Sequence, residues 1–247
     1  MRDDDDFVTD QQYAVSASPR VLVVDVGGTH VKILATGEQE HRYFDSGSTM
    51  TSARMVAGVH KASHGWKFDV IAMGYPGRVV RGRPIAEPHN LANGWVVFNY
   101  EAAFGHPIRI INDAAMQALG SYKGGRMLFL GLGTGLGSAM VVNGELAPME
   151  LGHLPYRKGR TYEDYVGERG LKRLGSKRWR RHVDAVVKQL RAALEPDDVV
   201  LGGGNIHKLD RLPPKARRGD NDNAFLGGFR LWENGETWAK KKVAHER

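Results

Sequence analysis

Three stretches of this chain put bare backbone directly after an apolar run: Asp25-Val-Gly-Gly-Thr-His-Val-Lys32, Leu130-Gly-Leu-Gly-Thr-Gly-Leu-Gly137 and Leu201-Gly-Gly-Gly-Asn205. Glycine turns expose oriented backbone N–H groups, and with no Cβ in the way a phosphate oxygen can approach them closely. The chemistry they suggest is the grip of a phosphorylated ligand, although each taken singly is more often a plain tight turn. Two single-loop phosphate grips are excluded. No G-x-x-x-x-G-K-[ST] occurs, and in Gly131–Gly137 the third glycine position of G-x-G-x-x-G is Leu136.

The elements that must carry these turns alternate between strand and helix. Val21–Asp25 and Val31–Ala35 read as short buried strands flanking the first turn, and Met127–Leu130 and Ser138–Val142 repeat the plan around the second. Aligning Asp25 with Gly131 also aligns Gly27 with Gly133, a domain-sized offset that predicts two related lobes. Phe68–Met73, Ile108–Asn112 and Asp198–Leu201 read as further strands, and Ala114–Ser121 as a helix. Trp179, Val183, Val186, Val187, Leu190 and Leu194 recur at helical spacing, and Asn223–Trp232 is apolar enough for a core helix. This is an α/β pattern. It divides into an acidic, disordered tail at 1–19, a first lobe at 20–113 and a second at 114–247.

Composition bounds what such a pair of lobes can be. With 247 residues, 41% hydrophobic and 26% charged, the chain can bury a real core, and no apolar run reaches the roughly 18 residues of a membrane span. The absence of cysteine excludes disulfides and any thiolate zinc site and fits a reducing, cytoplasmic setting, and the N-terminus lacks the features of a secretory signal. The formal net charge of +7 biases the surface toward anionic ligands.

In order and in combination these residues resemble the ROK family of sugar kinases, whose fold is the two-lobed, actin-like, hexokinase-type (ribonuclease H-like) phosphotransferase architecture. The matching pieces, across roughly residues 20–230, are Asp25–Lys32 for the first phosphate motif, Asn112-Asp113 for the catalytic acid and Leu130–Gly137 for the second phosphate motif. Glu150-Leu-Gly-His153 matches the sugar-binding E-x-G-H, and Leu201–Asn205 the segment bordering the nucleotide. The resemblance implies that Gly27, Gly28, Thr29 and Lys32, with Gly133, Thr134, Gly135, Gly202, Gly203 and Gly204, hold the phosphates of ATP or inorganic polyphosphate. It implies that Asp25 helps hold Mg²⁺ through water. A hexose would be bound by Asn90, Asn93, Asn112, Asp113, Glu150 and His153, with Glu163 as a later acidic contact for which Asp164 has an equal claim. A homodimer is also implied, without an interface signature in the sequence.

Phosphoryl transfer needs the acceptor hydroxyl in line, its proton removed and the phosphate charge neutralised. Asp113, at the end of a strand and the start of a helix, is the general base that the resemblance implies; taken alone it reads equally as a helix cap. His-Asn90-Leu-Ala-Asn93-Gly-Trp95 resembles the N-L…W segment of the sugar pocket, and alone it reads as a polar loop with an anchoring Trp. His60 and His64 read as surface residues.

Two departures from the usual ROK pattern stand out. The cysteine cluster that follows E-x-G-H is missing, so no zinc is expected, and the segment from His153 to Gly202 is short. Both point to the polyphosphate glucokinase branch. Twelve basic residues between Arg157 and Arg191 would attract a linear polyanion and read equally as a solvated helix face, and Lys123 and Arg126 are the bases nearest the second turn in sequence. The expectation is Mg²⁺-dependent transfer from polyphosphate, ATP or both to the 6-hydroxyl of glucose or a similar hexose, with no specific nucleic acid or membrane partner. The alternatives are a strictly ATP-dependent ROK hexokinase, a non-catalytic sugar binder, an actin-like ATPase and a DNA-binding repressor. For the last, the segment before Val21 is too short and acidic to build a helix-turn-helix.

Overall fold

The computed structural model describes residues 18–220 and 222–233; the expected tail lies almost wholly outside them. The elements run in chain order as strands β1 (Val21–Val26), β2 (His30–Ala35) and β3 (Arg42–Asp45), helix α1 (Ser52–Ala62), and strands β4 (Val70–Tyr75), β5 (Val79–Val80) and β6 (Arg83–Pro84). Helix α2 (Tyr100–Phe104), strand β7 (Ile108–Asn112) and helix α3 (Asp113–Ser121) complete the first half. The second half begins with strands β8 (Arg126–Leu132), β9 (Leu136–Val142) and β10 (Glu145–Met149), a 3₁₀ turn at Leu151–His153, and the hairpin β11 (Pro155–Arg157) and β12 (Arg160–Thr161). Helices α4 (Glu163–Val166), α5 (Glu168–Leu174) and α6 (Ser176–Leu194), strands β13 (Asp198–Gly202) and β14 (Ala216–Arg218) and helix α7 (Asn223–Glu233) follow.

The internal repeat is a repeat of topology. One sheet has the order β3-β2-β1-β4-β7 and the other β10-β9-β8-β13-β14, so each half reads third, second, first, fourth, fifth strand. In each, the second strand runs antiparallel to the first and the fourth parallel to it. The central strands read as unbroken apolar runs because both faces are covered: β4 is buried along its whole length, and so is β1 apart from the half-buried Asp25. β3, β10 and β14 were not expected from the sequence; they are edge strands, mostly exposed, and carry little apolar patterning.

Between the sheets lies a shared core built on α3 and α7, holding Val23, Ala115, Met116, Phe129 and Phe225. On the outer flanks, α1 and α2 pack on the first sheet, and α6 lays Trp179, Val183, Val186, Val187 and Leu190 on the second. Helix α7 falls in the stretch expected to form the second lobe, yet it packs onto β1 and β4 of the first sheet, and the indole of Trp232 donates to the Ile71 carbonyl at 3.0 Å. The chain thus returns to the lobe it started from. No helix among the described residues is long and apolar enough to cross a membrane.

Candidate active site

The parallel strands β1, β4 and β7 end at Val26, Tyr75 and Asn112, and β8 and β13 at Leu132 and Gly202. Ligand sites in open α/β sheets lie beyond such carboxyl ends, and all three glycine turns and Asp113 lie there. Asn90 ties the first two turns together across the gap between the lobes. It packs beside Gly28, where an added Cβ would meet the Asn90 Cβ at 3.4 Å, and its Nδ2 donates to Thr134 Oγ1 at 3.2 Å.

Each turn is held from behind so that its amides face outward. In the first, Gly27 N–H closes the loop on the His30 carbonyl at 3.0 Å, while Ser46 uses its hydroxyl and its amide to take up the Gly27 and Thr29 carbonyls. In the second, the Glu168 amide at the head of α5 donates to the Gly133 and Thr134 carbonyls. Asn205 joins it, its amide reaching the Leu132 carbonyl at 2.8 Å and its Nδ2 the Gly133 carbonyl at 3.1 Å. Among the described residues the amides of Gly28, Thr29, Thr134 and Gly135 have no intramolecular acceptor. These are the donors that a phosphate would need. Gly203, at φ +84°, presses on the backbone of Leu132, so the third turn backs the second; Gly204 faces open space.

Asp25 stands opposite Lys32 in the β1–β2 register and beside Gly74 in the β1–β4 register. Its carboxyl is pushed up to about 7, by burial first and then by Asp113, with Lys32 pulling the other way. Asp113 is raised to about 6 by burial, against hydrogen bonds from the Ala114 amide and its own, with Glu150 adding to the rise. Asp113 thus lies within electrostatic reach of both Asp25 and Glu150.

The helix-cap role open to Asp113 falls to its neighbour. Asn112 is the N-cap of α3: its Oδ1 accepts from Ala115 N–H at 3.2 Å and its Nδ2 donates to the Gly77 carbonyl at 3.0 Å. The Asn112 amide is thus engaged within the protein at both ends. Asp113 itself accepts the adjacent Ala114 amide, at 2.8 Å, and its own amide, and no more distant residue donates to it among the described residues, which leaves lone pairs free for an incoming hydroxyl.

Glu150 caps and His153 closes a 3₁₀ turn fastened to β9 by Ser138, whose Oγ donates to the Met149 carbonyl and accepts the Leu151 amide. Both side chains are exposed. Of the two acidic claimants beyond them, Asp164 is occupied as a local turn, accepting from the Thr161 amide and hydroxyl. Glu163 instead lies against the second glycine turn, its Oε2 within 2.5 Å of where a Gly135 Cβ would be. The loop carrying Asn90 and Asn93 wraps the carboxylate of Glu87, which collects the amides of Gly94, Trp95 and Val96, and Trp95 is fully buried beneath it. Asn93 is exposed on the same loop. Arg126, close to the second turn in sequence, sits at the far end of β8 and holds Asp197 and the Leu194 carbonyl; Lys32 is the base that lies beside the carboxylates.

Sequence reading missed Glu87 and Ser138, and gave Asn205, at the end of Leu201–Asn205, no role of its own. A signal existed for one of them: Ser138 is a lone hydroxyl in an otherwise apolar strand and is 2% exposed.

A model of the ROK family matches residues 21–161, more than half of the chain. The chain belongs to the ROK family. Its two sheets are those of the actin-like, two-lobed fold of ROK sugar kinases. The structure of an inorganic polyphosphate/ATP-glucomannokinase from Arthrobacter sp. strain KM superposes with a TM-score of 0.76 at 21% identity, over 89% of this chain and all of that one. At that identity the likeness concerns the fold. In sequence, a polyphosphate glucokinase of Mycobacterium leprae is 26% identical over 212 residues, covering 78% of this chain and 62% of the relative. One from Mycobacterium tuberculosis is 30% identical over 169 residues, 61% of each. The chain spans about three fifths of the length of these curated relatives.

Proposed function

We propose that this ROK protein transfers a phosphoryl group from inorganic polyphosphate, ATP or both to the 6-hydroxyl of glucose or a similar hexose, in the cytoplasm. One observation carries the reading: two outward-facing glycine turns from different lobes are bridged by Asn90, which packs beside Gly28 and donates from Nδ2 to Thr134 Oγ1 at 3.2 Å, with a carboxyl raised to about 6 at the same strand ends. A general base works best with a pKa near the operating pH, and Asp113 is brought towards it.

In the proposed reaction the hexose hydroxyl gives its proton to the Asp113 carboxylate as the new O–P bond forms, and the bond from phosphorus to the donor's bridging oxygen breaks. The shortened polyphosphate or ADP leaves with that oxygen. The amides of Gly28, Thr29, Thr134 and Gly135, with Lys32, face the charge on the equatorial oxygens, which is where this chemistry needs help. Glu150, His153, Asn90, Asn93 and Glu163 would hold the sugar by its hydroxyls, with Gly202–Gly204 bordering the donor.

The residues fit a Mg²⁺ ion. Asp25 accepts no hydrogen bond among the described residues and sits beside another acid, a position that a cation relieves. No group of three or more acidic or histidine side chains able to hold a metal occurs among the described residues. That suits an ion which keeps most of its waters and takes the rest of its ligands from phosphate. Bound there, Mg²⁺ would neutralise phosphate charge.

The test is direct. Purified full-length protein is incubated with each of several hexoses and with either donor, and glucose 6-phosphate is measured. No sugar phosphate from any pairing would overturn the proposal, and thermal stabilisation by a hexose without turnover would favour a sugar-binding role instead.

A further inference from the structure

The cations of the basic stretch from Arg157 to Arg191 meet different surroundings in the structure. Several of its cations are tied up: Arg169 with Glu163, Lys172 with Glu168, Arg173 with the Asp164 carbonyl, Arg180 with Asp210 and the Lys208 carbonyl, and Arg191 with the Pro214 carbonyl. Arg157, Arg178 and Arg181 are set apart by their place. None has a carboxylate partner among the described residues, and all three line one concavity of about 340 Å³ with Tyr156, His182 and Ala185. Arg178, Arg181, His182 and Ala185 follow the three- and four-residue spacing that puts them on one face of α6, and Tyr156 and Arg157 come from β11.

We infer that this concavity between α6 and the β11–β12 hairpin is a docking site for a linear phosphate polymer, separate from the cleft where transfer takes place. It deepens the proposed function by giving one of the two donors a second foothold, and rests on that reading for the polymer's role as donor. Three guanidinium forks with no carboxylate partner among the described residues match phosphate oxygens in charge and in planar geometry. The floor is rigid. Tyr156 Oη meets His182 Nδ1 at 3.1 Å, and the rings of Tyr156, Tyr165 and His182 pack on one another. His182 is held below the ordinary histidine range by burial and by the charges of Arg157 and Arg173, a sign of the positive field there. A nucleic acid fits less well, because single-strand binding calls for open aromatic faces on which bases stack, and these rings are engaged with one another and with Arg157. Helix α4 joins the pocket to the cleft: Glu163 lies against Gly135, and Tyr165, two residues on, packs against His182.

The test compares R178Q/R181Q with K177Q/K188Q, which removes the same charge from the same helix at exposed positions outside the concavity. Binding of long-chain polyphosphate to the full chain is titrated at near-physiological salt. The expected result is a Kd raised about tenfold or more in R178Q/R181Q and far less in K177Q/K188Q. In kinetics, the ratio of kcat/KM on long-chain polyphosphate to that on ATP falls by a similar factor. Equal weakening in both variants, wild-type affinity in R178Q/R181Q, or displacement of the polymer by single-stranded RNA of matched charge at equal concentration would each overturn the inference. Failure of the pocket and failure of the kinase reading are distinguishable. Lost discrimination with intact glucose phosphorylation removes the pocket alone, and selective polymer binding without sugar phosphate from any donor removes the kinase reading alone.

Discussion

Burial that lifts Asp113 to about 6 and Asp25 to about 7 makes both residues costly to the fold while fitting them for chemistry. A raised carboxyl pKa means that the folded chain binds the proton more tightly than the unfolded one. Stability is therefore highest when these groups are protonated, and is lost as pH rises from about 4 through about 6 for Asp113 and about 7 for Asp25. Asp113→Asn, neutral at every pH, should be more stable than the native protein at pH 8, by an amount on the order of 2 kcal/mol, and no more stable at pH 4. The same variant should lose roughly 10²–10⁴-fold in kcat while retaining hexose affinity. Calorimetry at the two pH values, set beside kcat and sugar binding, checks both halves; near-native turnover would mean that the base is misassigned. For the native protein, kcat/KM of the proposed transfer should fall as pH drops below about 6, since the proposed base must be ionised to act.

At the scale of elements, the two halves share a hairpin plan but not its side chains. Asp25 pairs with Lys32 and lies beside Gly74, whereas the equivalent Gly131 pairs with Gly137 and lies beside Gly202. One lobe brings charge to its turn and the other brings bare backbone. That asymmetry was legible in the sequence, because buried strands and glycine turns announce themselves by local pattern, and the hairpin register sets Lys32 opposite Asp25. What was not legible depends on contacts across the chain. Nothing near Glu87 foretells that it gathers three amides of the loop carrying Asn90 and Asn93, and nothing near Asn205 foretells its hold on Gly133. Asp164 and Glu163 could not be told apart until one was seen engaged with Thr161 and the other against Gly135. Glu87→Ala leaves three loop amides without their partner, so it should raise the hexose KM about tenfold with a smaller effect on kcat. Steady-state kinetics with varied hexose checks this, and an unchanged KM would disconnect the loop from the sugar.

The whole molecule is held by a crossing of two helices between its sheets. α3 begins at Asp113 and α7 returns from the second half to pack on β1 and β4, so the crossing fixes Asp113 relative to both lobes. It is close because of two glycines: a Cβ on Gly227 would fall 1.8 Å from the Met116 carbonyl oxygen, and one on Gly120 would fall 1.8 Å from that of Asn223. Both obstacles are backbone and cannot swing aside. Gly227→Ala must therefore push α7 from α3, at a cost of roughly 1–3 kcal/mol or more from overpacking. Because α3 carries Asp113, the displacement should also lower kcat, since small misplacements of a reacting group are expensive. Gly204→Ala serves as the reference for stability, with nothing within 4 Å of the added methyl. Thermal unfolding should show a loss of several degrees for Gly227→Ala and about none for Gly204→Ala. If Gly227→Ala keeps both its melting temperature and its turnover, the helix crossing does not set the geometry of the cleft. Alignment of the lobes would then rest on contacts at the cleft itself, with Asn90 and Thr134 first among them.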